Sequence, residues 1–293
     1  MKIAVVTDST CYLSQTEIED NNIHVIPIPF VVDGKTFNEG VDISTEGFYQ
    51  LLRESKSFPS TSQPPLGSMI ELYNHLADEG YDTVISIHLA STISGFVGSL
   101  QGVAAEVADR IHVIPYDSQI TVRLMGYLVL AAARMVQSGA DPDEIIHQLD
   151  KIRATMGEYF VVDDLQNLVR GGRLSNASAF IGSVLKIKPL LTFDDQTHEI
   201  VAFEKVRSTK KALARVETLF SEAQAQVDYP LRGIVIHAND PVAGQTWRDK
   251  LSKQFPSMPF DLSYFGPVVG AHLGEKALAL AWMIDIDQMD QLK

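Results

Sequence analysis

Cysteine is nearly absent from this chain, and the single Cys11 excludes an internal disulfide framework or a cysteine-rich zinc site. Basic residues are scarce as well: 24 Lys and Arg stand against 37 Asp and Glu, a formal net charge of −13. A general nucleic-acid binder needs the opposite balance, and no basic block makes up for it. The longest apolar run, around Leu124 to Val136, is broken by Gly126 and Arg134 and is too short to span a bilayer. Met1 to Asp8 read as a strand without the long apolar region of a signal peptide, so the expected location is the cytoplasm. Signatures of catalysis are missing too. Gly34-Lys35-Thr36 ends like a P-loop, but Pro29 stands where its first glycine is required. No G-x-G-x-x-G follows a strand, and there is no G-x-S-x-G nucleophile elbow. The eight histidines show no ligand spacing such as H-E-x-x-H, so neither a metal nor a cofactor is expected. A lone histidine in an apolar strand, His88 or His237, reads as a structural residue with a hydrogen-bond partner.

What is present is material for a core. Of the 293 residues, 45% are hydrophobic and 21% charged, which suits one large or two medium folded domains. A short strand at residues 2–7 is followed by the turn Asp8-Ser9-Thr10. His24 to Val32 is rich in β-formers, but Pro27 and Pro29 cannot donate to a ladder, which predicts an edge or irregular strand. A helix is predicted from about Thr45 to Arg53 with Ser44 as its cap, then a stiff Ser/Thr/Pro loop from Ser57 to Pro65. Ile111 to Pro115 reads as a strand, with Asp117-Ser118 capping a long helix to about Ser138. Asp141-Pro142-Asp143-Glu144 starts another helix in the manner of a capping box. Strands alternating with helices at this spacing predict a largely parallel α/β sheet. After about residue 155 the pattern changes: a strand at Tyr159 to Val162, a hairpin from Lys188 to Phe203, a helix from Thr209 to Gln226, a strand from Gly233 to His237 and a helix from Ala243 to Phe255. The expected division is an N-terminal α/β domain, 1–156, and a C-terminal mixed α/β domain, 157–293.

The most informative stretch runs from Val84 to Phe96. It begins as the apolar, β-branched run of a buried strand and ends in Ser91-Thr92-Ile93-Ser94-Gly95, at the start of a helical pattern. Hydroxyls and backbone N–H groups at the carboxyl edge of an α/β sheet suit an anionic head group. Two further clusters, Thr61-Ser62-Gln63 and Gly270-Ala271-His272-Leu273-Gly274, could add hydrogen-bond donors, although each alone reads as a cap or turn. Ser94 with His272 as base is also the chemistry of a serine hydrolase or acyl transferase, with no third residue to orient the imidazole. The Arg170–Arg173 loop offers a third option, a phosphorylated sugar.

A set of fragments runs in order along nearly the whole chain. It comprises Asp8-Ser9, Thr61-Ser62-Gln63-Pro64, Ser91-Thr92-Ile93-Ser94-Gly95, Asp117-Ser118, Leu168-Val169-Arg170-Gly171-Gly172-Arg173, Lys186-Ile187-Lys188-Pro189, Lys205-Val206-Arg207, and Gly266-Pro267 with His272. This set resembles the DegV family of bacterial fatty-acid-binding proteins. The resemblance implies a two-domain α/β fold and a non-enzymatic carrier for a long-chain fatty acid, whose acyl chain lies in an apolar tunnel. The acid is handed to a fatty acid kinase that makes the acyl-phosphate, a step that feeds phospholipid metabolism. By position, the implied carboxylate contacts are Thr61 and Ser94, with His272 near the same head group and Gly95 letting the helix N-terminus approach closely; Ser62 and Ser91 complete the candidate ligand-binding set. Arg207 lies in the segment the resemblance turns towards the kinase, and Arg170 and Arg173, in a signature loop, are further candidate partner contacts. Transient contact with a membrane surface is compatible with such a carrier, whereas an integral membrane segment and nucleic acid are not expected. Ala90, Phe96, Glu275-Lys276 and Cys11-Tyr12 depart from the family pattern, and of these Phe96 and Glu275-Lys276 bear on chain length and head-group geometry. The helix from Ile120 to Val136 is a candidate tunnel wall, its plain reading being ordinary core.

Overall fold

The computed structural model describes residues 1–179 and 188–291. Lys186 and Ile187 of the Lys-Ile-Lys-Pro fragment lie outside the described residues. The chain packs as two compact units, Met1–Ser44 with Thr61–Ala154, and Thr45–Ser60 with Thr155–Lys293. The sequence pattern marks only the passage near residue 155. The segment 45–60 joins the second unit because Phe48 and Tyr49 are fully buried there. Tyr49 donates its hydroxyl to the Phe265 carbonyl at 2.9 Å.

In the first unit, β1 (Ile3–Asp8), β2 (Ile23–Ile26), β6 (Thr83–His88) and β7 (His112–Asp117) form a parallel sheet in the order β2-β1-β6-β7. Every residue of β1 and β6 is buried. Such continuous burial is what parallel strands covered on both faces require. The helices are α1 (Gln15–Asp20), α3 (Leu66–Asp78), α4 (Phe96–Glu106), α5 (Val122–Gln137) and α6 (Pro142–Arg153). The prolines divide residues 24–32 as predicted for an irregular strand. β2 is an edge strand, and β3 (Pro29–Val32) joins a separate small sheet with β4 (Lys35–Asn38) and β5 (Ser60–Thr61). Asp141 caps α6 by accepting from the Glu144 N–H at 2.9 Å.

The long helix α5 does not start at Asp117-Ser118. Its N-cap is Thr121, because both earlier side chains are engaged elsewhere: Asp117 with Ser91 and Gln119, Ser118 with Ile120. Val122 takes φ +57, a strained angle for a β-branched residue. Most of α5 is buried in the core of this unit, and Gly126 lets it approach the 9–11 turn. A Cβ there would lie 2.4 Å from the Cys11 carbonyl oxygen.

The second unit holds α2 (Thr45–Glu54), β8 (Gly157–Val161), α7 (Gln166–Gly171), β9 (Lys188–Phe193), β10 (Ile200–Val206), α8 (Thr209–Gln224), β11 (Leu231–His237), α9 (Pro241–Gln254), β12 (Phe260–Tyr264), α10 (Pro267–Leu273) and β13 (Leu278–Ile284). Its mixed sheet runs β10-β9-β8-β13-β11-β12, with the predicted hairpin as β9 and β10. Val216, Phe220, Trp247, Leu251 and Leu280 form the centre of its core. No helix among the described residues is long and apolar enough to cross a membrane.

Candidate functional site

In the first unit, the turn after β6 is held from both sides. On the β1 side, Asp8 uses both carboxylate oxygens. Oδ1 accepts from the Thr10 N–H (3.0 Å) and hydroxyl (2.6 Å); Oδ2 accepts from the Leu89 N–H (3.2 Å) and pairs with His88 Nδ1 (3.0 Å). His88 Nε2 meets Ser86 Oγ at 2.7 Å, and Ser86 meets the Tyr73 hydroxyl at 2.7 Å. Burial pushes the Tyr73 hydroxyl up to about 12. Ser86, His88 and Asp8 have the order of a nucleophile, base and acid, yet all three are fully buried. With Ser86 also tied to Tyr73, the chain is a structural strut, and His88 is the partnered histidine that the sequence predicts. His237 differs, since its buried Nδ1 has no partner among the described residues.

On the β7 side, Ala90 is the pivot. Its N–H donates to Ile120 O at 2.7 Å, while its carbonyl accepts from Ile93 and Ser94, both at 3.1 Å. Ser91 donates its N–H and its hydroxyl to Asp117. The hydroxyl proton of Ser91 is therefore committed within the protein. Ser94 is different: its half-buried Oγ accepts from the Phe96 N–H at 3.3 Å and donates to no described residue. Gly95 opens α4 without a side-chain cap, and a Cβ there would meet nothing closer than Gln63 Oε1 at 3.9 Å. The 61–63 loop reaches the same helix end, where Ser99 donates to Gln63 Oε1 at 3.2 Å. Ser62 is exposed, Thr61 is half-buried, and the Ser62 N–H donates to Pro29 O at 3.1 Å. Thus Thr61, Ser62, Ser91, Ser94 and Gly95 all belong to the first unit, on two loops joined through Gln63 and Ser99. Fully buried Phe96 stacks edge-on against His88, with ring centroids 4.6 Å apart, so it fills core beneath the turn.

His272 belongs to the second unit, on α10. A Cβ on Gly171 would lie 2.5 Å from its Nδ1, so glycine leaves the room the imidazole occupies where it crosses the end of α7. Gly172 follows at φ +72 and closes that helix in the left-handed region. Burial, aided by the positive charge of Arg173, lowers the His272 pKa to about 4, and the ring is neutral at pH 7. Arg173 itself folds inward onto the Gly171 carbonyl. Arg170 lies exposed over the Phe58 ring, 4.3 Å from its centroid, and bonds Gln166 Oε1 at 3.0 Å; Arg207 is exposed. Among the described residues no group of three His, Cys, Asp or Glu side chains could hold a metal ion. Sequence reading picked out the hydroxyls but not the part that Asp8 and Asp117 play in fixing the turn that carries them. Asp8 and Asp117 are each the last residue of a strand flanking β6, which is the signal that could have found them.

The family model described as "Uncharacterised protein, DegV family" matches residues 2–285. The chain belongs to the DegV family. A DegV domain-containing protein of Listeria innocua is 47% identical over 283 residues, which are 97% of this chain and 99% of that protein. The crystal structure of DegV from Bacillus subtilis, described as a fatty acid binding protein, superposes with a TM-score of 0.88 at 43% identity, covering 97% of this chain and 100% of that one. A fatty acid binding DegV family protein from Streptococcus agalactiae superposes with a TM-score of 0.90 at 35% identity, covering 97% and 99%.

Proposed function

We propose that the chain binds a long-chain fatty acid and presents it to a fatty acid kinase for conversion to an acyl-phosphate, without chemistry of its own. The observation that carries this reading is the end-to-end match to two solved DegV-family structures described as fatty acid binding. The free hydroxyl proton of Ser94 at the start of α4 supports it, since a carboxylate needs donors at a helix N-terminus. In this reading Thr61 and Ser94 hold the carboxylate, with Ser62 and Gly95 beside them. Ser91 acts through the shape of the turn. His272 serves as a neutral hydrogen-bonding group and not as a cation.

The energetics suit such a ligand. Each methylene buried in an apolar tunnel contributes roughly 0.8 kcal/mol, so about ten give roughly 8 kcal/mol. That offsets much of the ordering cost of binding, and the head group needs no strong ion pair. A carboxylate held by hydroxyls stays accessible to a phosphoryl donor. Arg170 and Arg207, both exposed, are the proposed contacts for the kinase; Arg173, turned inward, is proposed to add its charge to the burial that keeps His272 neutral.

The experiment is a displacement titration with palmitic acid against a fluorescent fatty acid, repeated with a shortened acid. Saturable binding that weakens as methylenes are removed supports the proposal. Absence of binding, or labelling of Ser94 by a serine-directed covalent probe with turnover of an acyl ester, overturns it in favour of an acyl-transfer enzyme.

A further inference from the structure

The loop that follows β7 grips the turn that follows β6 through four hydrogen bonds. Ser118 donates its N–H to His88 O at 3.1 Å, and Ala90 donates its own to Ile120 O at 2.7 Å. Asp117 supplies the other two, Oδ1 accepting from the Ser91 N–H at 3.1 Å and Oδ2 from the Ser91 hydroxyl. The same Oδ1 accepts from the Gln119 N–H at 2.9 Å, where Gln119 takes φ +56. One carboxylate therefore ties its own left-handed turn to the residue that begins the Ser91–Gly95 turn. Its backbone is anchored in addition, since the Asp117 carbonyl accepts from Arg153 Nη1 at 2.9 Å. On the opposite side Asp8 holds the Leu89 N–H. A turn fixed at residues 89, 90 and 91 presents the Ser94 hydroxyl in one place, although nothing else in the described structure accepts its proton.

We propose that Asp117 is a positioning residue for the carboxylate-binding turn, acting through Ser91 and not by touching the ligand. The proposal rests on the fatty-acid reading above. It contradicts the electrostatic expectation, because a carboxylate beside an anion site repels the ligand, and its removal should then tighten binding. Geometry and charge thus predict opposite signs. An amide separates them: Asp117→Asn removes the charge, yet its oxygen still accepts from Ser91 and Gln119 while its NH2 donates to Ser91 Oγ.

The test compares Asp117→Ala and Asp117→Asn for binding of palmitic acid and of hexadecanol, which has the same chain and no carboxylate. Amide hydrogen exchange over residues 88–97 is measured in the unliganded proteins. The expected result is a loss of about tenfold or more in palmitic acid affinity for Asp117→Ala, and less than about threefold for hexadecanol, the size of one lost charge-assisted contact. Asp117→Asn stays within about threefold of the parent for both ligands. Exchange in the 88–97 segment speeds up in the alanine variant alone. Tighter palmitic acid binding in both variants, equal loss of acid and alcohol, or unchanged exchange in Asp117→Ala overturns the proposal. If the parent protein binds no palmitic acid, the fatty-acid reading fails, and the exchange measurement still decides whether Asp117 orders the turn.

Discussion

Replacing Gly171 by alanine pits two effects of opposite sign against each other. Gly171 is the last residue of α7, where alanine is favoured over glycine by up to about 1 kcal/mol of helix propensity. Opposing this, the new methyl would lie 2.5 Å from His272 Nδ1, against an ordinary contact of 3.4 Å or more, so the ring has to retreat about 0.9 Å. Overpacking of this kind costs about 1–3 kcal/mol. The net expectation is destabilisation by roughly 0–3 kcal/mol, read by calorimetry as a lowered melting temperature at about 2–4 °C per kcal/mol. A His272→Ala background removes the clash, so Gly171→Ala then becomes neutral or stabilising, with a coupling of about 1–3 kcal/mol between the two positions. A second readout is independent of stability. Burial, with Arg173 second, holds the imidazole at about 4, and a ring pushed outward titrates closer to its ordinary value in an NMR pH series. Gly171→Ala that stabilises equally with and without His272, and leaves the imidazole titration unchanged, would refute the packing described for this motif.

Two other predictions concern buried or half-buried polar groups. Glu158 accepts from the Phe193 N–H at 2.7 Å and the Thr192 hydroxyl at 3.0 Å, but burial raises its pKa from 4.5 to about 7. Between those values the folded chain holds a proton that the unfolded carboxylate has lost, so stability falls as pH rises through this window. Glu158→Gln should flatten that slope and melt higher than the parent at pH 8; a parent that gains stability relative to it from pH 5 to 8 contradicts the assignment. Ser94→Ala should weaken fatty-acid affinity by about 1–3 kcal/mol in a direct titration, the range for losing a hydrogen bond to a charged group. Unchanged affinity removes Ser94 from the head-group site.

Local signals carried much of the fold into the sequence. The β-branched run ending in Ser-Thr-x-Ser-Gly is β6, its turn and α4, and the Asp141 cap and the β9–β10 hairpin lie where turn and cap chemistry places them. What stayed hidden depends on partners far apart in the chain. Asp117 has the residue type of a helix cap, yet its side chain serves Ser91, 26 residues earlier. The helix 45–54 follows the first parallel strands in order but packs with the second unit, through a Tyr49 bond spanning 216 residues. Asp8 and His88, 80 residues apart, meet only because β1 and β6 are neighbours. The same limit applies to the candidate site. Hydroxyls, a glycine and a histidine are recognisable by type, whereas which proton remains free, that of Ser94 and not that of Ser91, is decided by those distant acceptors.

The proposed cargo of this chain is a long-chain fatty acid. Native mass spectrometry of the protein as purified, followed by organic extraction and lipid analysis, tests it most directly. The expected result is a bound acyl chain that is released as a free fatty acid and is replaced when palmitic acid is added. A protein that emerges without acyl lipid and takes up none contradicts it.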